Sequence, residues 1–509
     1  MAIQGNNKTL VLIGLMLGLI FSGLDETVVS TAMPTIIREL HGLSLYGWVA
    51  GVYMLAITMF MPIIGKLADL YGRKKVYMIC MGLFIAGSIV SGLADSMVML
   101  LVGRGIQGIG AGGLMPLSLV IIGETYPLEQ RAKIQSLIGP LMIIPQLLGP
   151  TLGGYIVGHV SWHWIFLINI PVGLVAALVL ARGMKESIGT EKRSVDWAGA
   201  ATLVMSLMSL LLAPVLIDTK GYSWGSPVII GMLVLAAIFM AAFIRIERRA
   251  AEPIIPLSLF RNRTVIVLSL LVFTIMFGAM GGMATFPLFL QNVIGLTPTA
   301  SGYMLLSFMA GAVPASIVNG FVITKVPYKR LFIGSFILPV VGFFMLTYLT
   351  ADTSVLYIIA SCFILGVGMG VLFGSDNLIV QESVDSSISG VALSTVQLVQ
   401  SLGATMGFSI FGSLLAGHIK NGLTGMGDQL PANTAETIAT DGIPKGLPDD
   451  VLLQVKTIFA DSFNSLFMVG AVFAVAAFII TWFMKKEVLT PKKEDGQQPP
   501  SAATVSAEG

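Results

Sequence analysis

Charge is scarce in this chain. Only 11% of its 509 residues are Asp, Glu, Lys or Arg, against 55% hydrophobic. A soluble domain carries about 25% charged residues, so a soluble globular fold is excluded and the chain reads as an integral membrane protein. Cysteine is almost missing as well. Cys80 and Cys362 both fall in apolar runs, which argues against a disulfide framework and for packing roles. There are four histidines; His159 and His163 stand four apart, but no third ligand of the right type lies near them, so no metal is expected. No G-x-x-x-x-G-K-[ST] occurs, so ATP bound in this chain is not the expected energy source. Gly108, Gly110 and Gly113 do satisfy G-x-G-x-x-G, yet no strand precedes them and the segment is an apolar span, which defeats the nucleotide reading.

What the chain has in quantity is long apolar runs. Fourteen reach the roughly 20 residues that cross a bilayer: 9–33, 46–67, 76–95, 97–122, 134–158, 164–182, 197–217, 226–244, 264–290, 299–323, 331–350, 354–378, 388–416 and 463–484. The first is too long and too acidic for a cleaved leader and is expected to stay as a spanning helix. With the N-terminus placed inside, 23 of the 29 Lys and Arg fall in inner segments and five in outer ones, with Arg104 inside a span. The excess of basic residues places both termini in the cytoplasm.

The chain also repeats itself. A shift of 258 residues lays "GIGAGGLMPLSLVIIGE" (108–124) on "GVGMGVLFGSDNLIVQE" (366–382), matching Gly108, Gly110, Gly112, Leu114 and Glu124 to Gly366, Gly368, Gly370, Leu372 and Glu382. The same shift carries Gly149 and Gly154 onto Gly407 and Gly412, and a shift of 255 carries Gly65, Lys74 and Lys75 onto Gly320, Lys329 and Arg330. Six helices, an inserted pair and six related helices account for the offset. Parallel six-helix halves with a site between them are a transporter plan.

"GKLADLYGRKK" (65–75) follows the second span. A basic loop that fixes topology accounts for Lys74 and Lys75 but not for Gly65, Asp69, Gly72 and Arg73 together. Asp69 and Arg73 are spaced for an ion pair at a helix end, and the glycines allow close approach. This stretch resembles the major facilitator superfamily, whose fold is all-α. "GPLMIIPQLLGPTLGG" (139–154) sets Gly139, Pro145, Gly149, Pro150, Gly153 and Gly154 along the fifth span. Proline bends a span and small residues pack tightly; the pattern is similar to the antiporter motif of drug exporters. "WHWIFLINIPVG" (162–173) and the inserted pair narrow the resemblance to the fourteen-span drug:proton antiporter family, with His163 where that family usually has a basic residue.

Within "IFSGLDETVVSTAMP" (20–34) stand two adjacent acids, Asp25 and Glu26. A carboxylate in hydrocarbon costs at least about 2.5–3.5 kcal/mol, so intramembrane acids are functional by default. At 1.5 Å per residue Asp25 lies roughly 12 Å below Met33 and Arg104 roughly 10 Å below Met97, in spans of opposite direction. The superfamily resemblance puts both spans beside a central cavity and implies an Asp25–Arg104 relation across it. The first-helix signature makes Asp25 the family's acid and leaves Glu26 at a variable position. Burial disfavours the charged form of a carboxylate and a neighbouring arginine favours it, a competition suited to proton exchange.

The resemblance implies a proton-coupled exporter of lipophilic, cationic compounds working by alternating access in the cell membrane. Its partners are a small substrate, protons and lipid, with no cofactor, metal, nucleic acid or enzyme activity. Export of a metabolite or peptide, or a lipid-handling or sensory role without pumping, stands as the alternative. The expected division is a six-helix half over 1–190, the inserted pair over 191–255, a second half over 256–484 holding a long outer loop (418–462), and a disordered tail (485–509). Participation of Asp376 is left open.

Overall fold

The computed structural model describes residues 7–41, 45–185, 195–220, 222–426 and 448–489, all of its regular structure helical. The spans are numbered here in chain order. They are α1 (Lys8–Leu40), α2 (Tyr46–Tyr71), α3 (Arg73–Gly92) and α4 (Met97–Thr125). Next come α5, built of Leu128–Ser136, Ile138–Leu141 and Ile143–His159, and α6, built of His163–Leu167 and Asn169–Gly183. The inserted pair is α7 (Trp197–Lys220) and α8 (Pro227–Glu247). The chain continues with α9 (Arg263–Asn292), α10 (Pro298–Val322) and α11 (Tyr328–Leu346). It ends with α12 (Val355–Gly370 with Ser375–Ser383), α13 (Ser389–Thr424) and α14 (Asp449–Thr481).

The helices begin where polar caps interrupt the apolar runs. The side chains of Asn7, Ser96, Ser226, Asn262, Thr297 and Ser354 each accept a backbone N–H of the first turn, satisfying donors that would otherwise be orphaned. Between α2 and α3 the chain turns at Gly72 with φ of 98°, a conformation open to few residues but glycine.

Thirteen helices among the described residues are long and apolar enough to cross a membrane. The fifth expected span is not among these thirteen; its helix is interrupted at Leu137 and Met142. Pro140 has no N–H to give the Ser136 carbonyl, which instead accepts the Ser316 hydroxyl of α10 at 2.7 Å. Irregular backbone at this depth is tolerated when protein, not lipid, satisfies it.

α1 packs on α5 and α6, α4 on α2 and α3, and α3 on α6. The later helices repeat the pattern: α9 on α13 and α14, α12 on α10 and α11, and α11 on α14. The repeated glycines explain why. A Cβ on Gly108 would run into the Tyr53 carbonyl of α2, and one on its repeat mate Gly366 would run into the Phe308 carbonyl of α10. α7 lies against both α2 and α13 and carries α8.

Two expectations need correction at the ends. α13 runs on to Thr424 and α14 starts at Asp449, so much of the 418–462 segment is helix, and 427–447 lies outside the described residues. The tail does not leave the fold at Lys485: Tyr328 donates its backbone N–H to the Glu487 carbonyl at 3.1 Å. Residues 490–509 are outside the described residues.

Candidate functional site

Asp25 comes from α1 and Arg104 from α4, and they meet: Arg104 Nη1 donates to Asp25 Oδ2 at 2.5 Å. Both residues are 1% exposed. Asp25 Oδ1 accepts Gln107 Nε2 and Asn169 Nδ2, each at 2.7 Å. Ser88 Oγ of α3 accepts the same two amides at 2.9 and 3.1 Å. Arg104 Nη1 also reaches Gln107 Oε1 at 2.8 Å, and the guanidinium carbon stands 3.9 Å from the centre of the Tyr53 ring of α2. Four helices, α1, α3, α4 and α6, therefore share one buried polar knot, with α2 closing it.

The expected pair forms, but not across a cavity. It is sealed among the first six helices, because Gln107, Asn169 and Ser88 fill the space that solvent would occupy. Desolvating two charges costs several kcal/mol each, and only good geometry with further hydrogen bonds offsets that cost. Those extra bonds come from residues that the sequence reading passed over. Their signal was available: Gln107 and Asn169 are amides inside apolar spans, and a buried amide needs partners. Glu26, about 100° round the helix from Asp25, is exposed.

The signature of α1 also docks α5. Thr27 Oγ1 donates to the Pro145 carbonyl at 2.9 Å. A Cβ on Gly149 or Gly153 would strike Thr27 or Thr31. Gly139 instead faces Phe373 of α12, with its Cβ position 3.2 Å from that side chain, and Gly154 has open space around it. The side chain of Pro150 lies outside the described residues. His159 stacks on Tyr155 and His163 on Trp162, and no metal-holding group of three is found among the described residues.

The second cluster lies at the end of the bundle that carries both termini. Asp69 pairs with Arg73 at 2.7 Å and accepts the backbone N–H groups of Gly390 and Val391, at the start of α13, at 3.3 and 2.9 Å. Arg73 also bonds Glu124 at 3.0 Å and donates to the Ser386 carbonyl at 3.2 Å. Gly65 sits where a Cβ would meet Gly390 O at 2.8 Å. Arg131 of α5 forms an ion pair with Glu382 of α12, Gln135 donates to Gln381 at 3.2 Å, and Lys133 lies 5.0 Å from the Phe321 ring centre. The described hydrogen bonds and ion pairs between α1–α6 and α9–α14 lie between this end and the level of Thr58 and Ser401, whose hydroxyls are 2.9 Å apart.

The model of the Major Facilitator Superfamily matches residues 15–408. The chain belongs to this superfamily. It is 34% identical to the "Multidrug transporter protein MdtP" of Bacillus subtilis (strain 168), over 99% of this chain and 98% of that one. It is also 34% identical to "Multidrug resistance protein 3" of the same strain, over 95% and 96%. Among solved structures, the proton:xylose symporter XylE is similar with a TM-score of 0.62 at 16% identity, covering 93% of this chain and 95% of that one. The human organic anion transporter MFSD10 is similar with a TM-score of 0.60 at 14% identity, over 92% and 99%. The superfamily member is thus an all-α, multi-pass membrane transporter and not an enzyme.

Proposed function

We propose that this superfamily member exports lipophilic, cationic compounds from the cell in exchange for protons. Relatives named as multidrug transporters support the export reading. The observation that carries proton coupling is Asp25: a carboxylate 1% exposed, inside a span, held by one arginine and two amides. Asp25 is the coupling acid, Arg104 its counter-charge, and Glu26 a charge on the substrate side.

Both termini face the cytoplasm in this reading, which follows the excess of basic residues there. The closed seam of Asp69, Arg73, Arg131 and Glu382 is then the cytoplasmic gate, and the observed arrangement is the outward-facing one. The units 1–190 and 256–484 rock about the central site while 191–255 rides beside them. One pH unit contributes about 1.4 kcal/mol per proton, and 100 mV adds about 2.3 kcal/mol per charge. One-for-one exchange of a proton for a monovalent cation moves no net charge and sustains about a tenfold ratio per pH unit, so the potential adds to the drive only where more than one proton enters per cation.

The test is dye efflux from vesicles holding only this protein under an imposed pH gradient. Asp25→Asn keeps the shape and removes the titratable group, so efflux should fall by about tenfold or more with the protein folded, a loss of at least about 1.4 kcal/mol. An Asp25→Asn protein that pumps like wild type removes Asp25 from the coupling role.

A further inference from the structure

Asp25 accepts three hydrogen bonds, from Arg104, Gln107 and Asn169. An ionised carboxylate is acceptor-only and fits this donor set. A protonated one would turn an O–H against N–H groups. The two amides on Oδ1 differ in what else they hold. Gln107 is tied to Arg104 through its own oxygen at 2.8 Å, whereas Asn169 makes no described bond to the guanidinium and shares only Ser88 with Gln107. Gln107 is therefore part of the α4 ion pair. Asn169 is a separate contribution from α6, standing as the first residue after the helix joint at Ile168.

We propose that Asn169 is a positioning residue of proton coupling: its amide bonds the ionised form of Asp25 and thereby sets the pH at which Asp25 takes up its proton. The inference rests on Asp25 being the coupling acid. The proton comes from the medium and forms one O–H bond on the carboxylate, at the expense of the Asn169 hydrogen bond. The charged or titratable groups around Asp25 are Arg104 from α4, Tyr53 from α2 behind the guanidinium, and Glu26 on α1 itself. α3 presents Ser88 and α6 presents Asn169, while α5 meets α1 at Gly23, Thr27 and Thr31. None of these titrates, so the Asn169 effect is not masked by a further charge from those helices.

The experiment is an infrared pH titration of the purified full-length protein in lipid, following the carboxylic-acid signal that Asp25→Asn removes, beside efflux against pH in vesicles. Asn169→Leu fills similar space without a donor. Its midpoint should rise by about one pH unit, the weight of one hydrogen bond to a charged group, with the efflux profile moving the same way. Asn169→Ala removes the donor without adding a group that titrates; it should move the midpoint upward as well, and serves if Asn169→Leu does not fold. Gln107 and Arg104 stay native throughout. A folded variant whose midpoint overlays wild type overturns the proposal and leaves Asn169 a packing residue, with the coupling role of Asp25 intact. A signal that persists in Asp25→Asn overturns the coupling-acid reading itself, and this proposal with it.

Discussion

Asp69 of α2 accepts the backbone N–H of Val391 at 2.9 Å, so a side chain from one half caps the first turn of a helix in the other. A carboxylate at a helix N-terminus meets both orphaned donors and the positive end of the helix dipole. The same carboxylate holds Arg73 at 2.7 Å. One acid thus fastens the seam and orients the arginine that reaches Ser386.

Neutralising that acid should loosen the seam. Asp69→Asn loses the charge behind hydrogen bonds worth about 1.5–3 kcal/mol. A cysteine placed at Ser401, in a chain lacking Cys80 and Cys362, should then label several times faster from the side of the termini, and efflux should slow. Unchanged labelling with unchanged efflux would reduce the stretch to a topological loop.

Gly65 and its repeat mate Gly320 test the same closure by shape alone. A Cβ on Gly65 would collide with the Ser394 side chain, and one on Gly320 with the Ser136 side chain. Gly65→Val and Gly320→Val should each hold the seam ajar and raise labelling at Ser401, because overpacking a tight contact costs about 1–3 kcal/mol. If both variants label like wild type, the seam does not close through these contacts.

Arg131 and Glu382 pair across the seam with side chains 12% and 8% exposed. Breaking such a pair leaves a buried charge and costs about 3–5 kcal/mol. Arg131→Glu and Glu382→Arg should each abolish efflux, and the double variant should recover a large part of it. Failure of the double variant, with both proteins folded, would mean that the surroundings rather than the pair set the requirement.

Arg104 should govern where on the pH axis transport works. A cation beside a carboxylate favours its ionised form, so Arg104→Ala should displace the efflux profile to higher pH as well as lower the rate. Arg104→Lys keeps a charge but loses the planar fork that meets Asp25 and Gln107 together, and should recover only part of both. Active variants whose profiles overlay wild type would leave Arg104 a residue of helix association.

The membrane class, the repeat, thirteen of the helices and the depth match of Asp25 with Arg104 follow from the sequence alone. Each rests on local composition or on periodic spacing along the chain. Apolar runs of bilayer length must be helical to satisfy their backbone, and repeated glycines recur wherever two helices must touch. The sealing of Asp25 by Gln107, Asn169 and Ser88 and the reach of Asp69 to α13 belong to the tertiary structure. They join residues 82, 144 and 322 positions apart, and which of many polar side chains meet depends on how helices rotate and cross. That rotation is fixed by packing against neighbours, a property of the assembled bundle that no single span encodes.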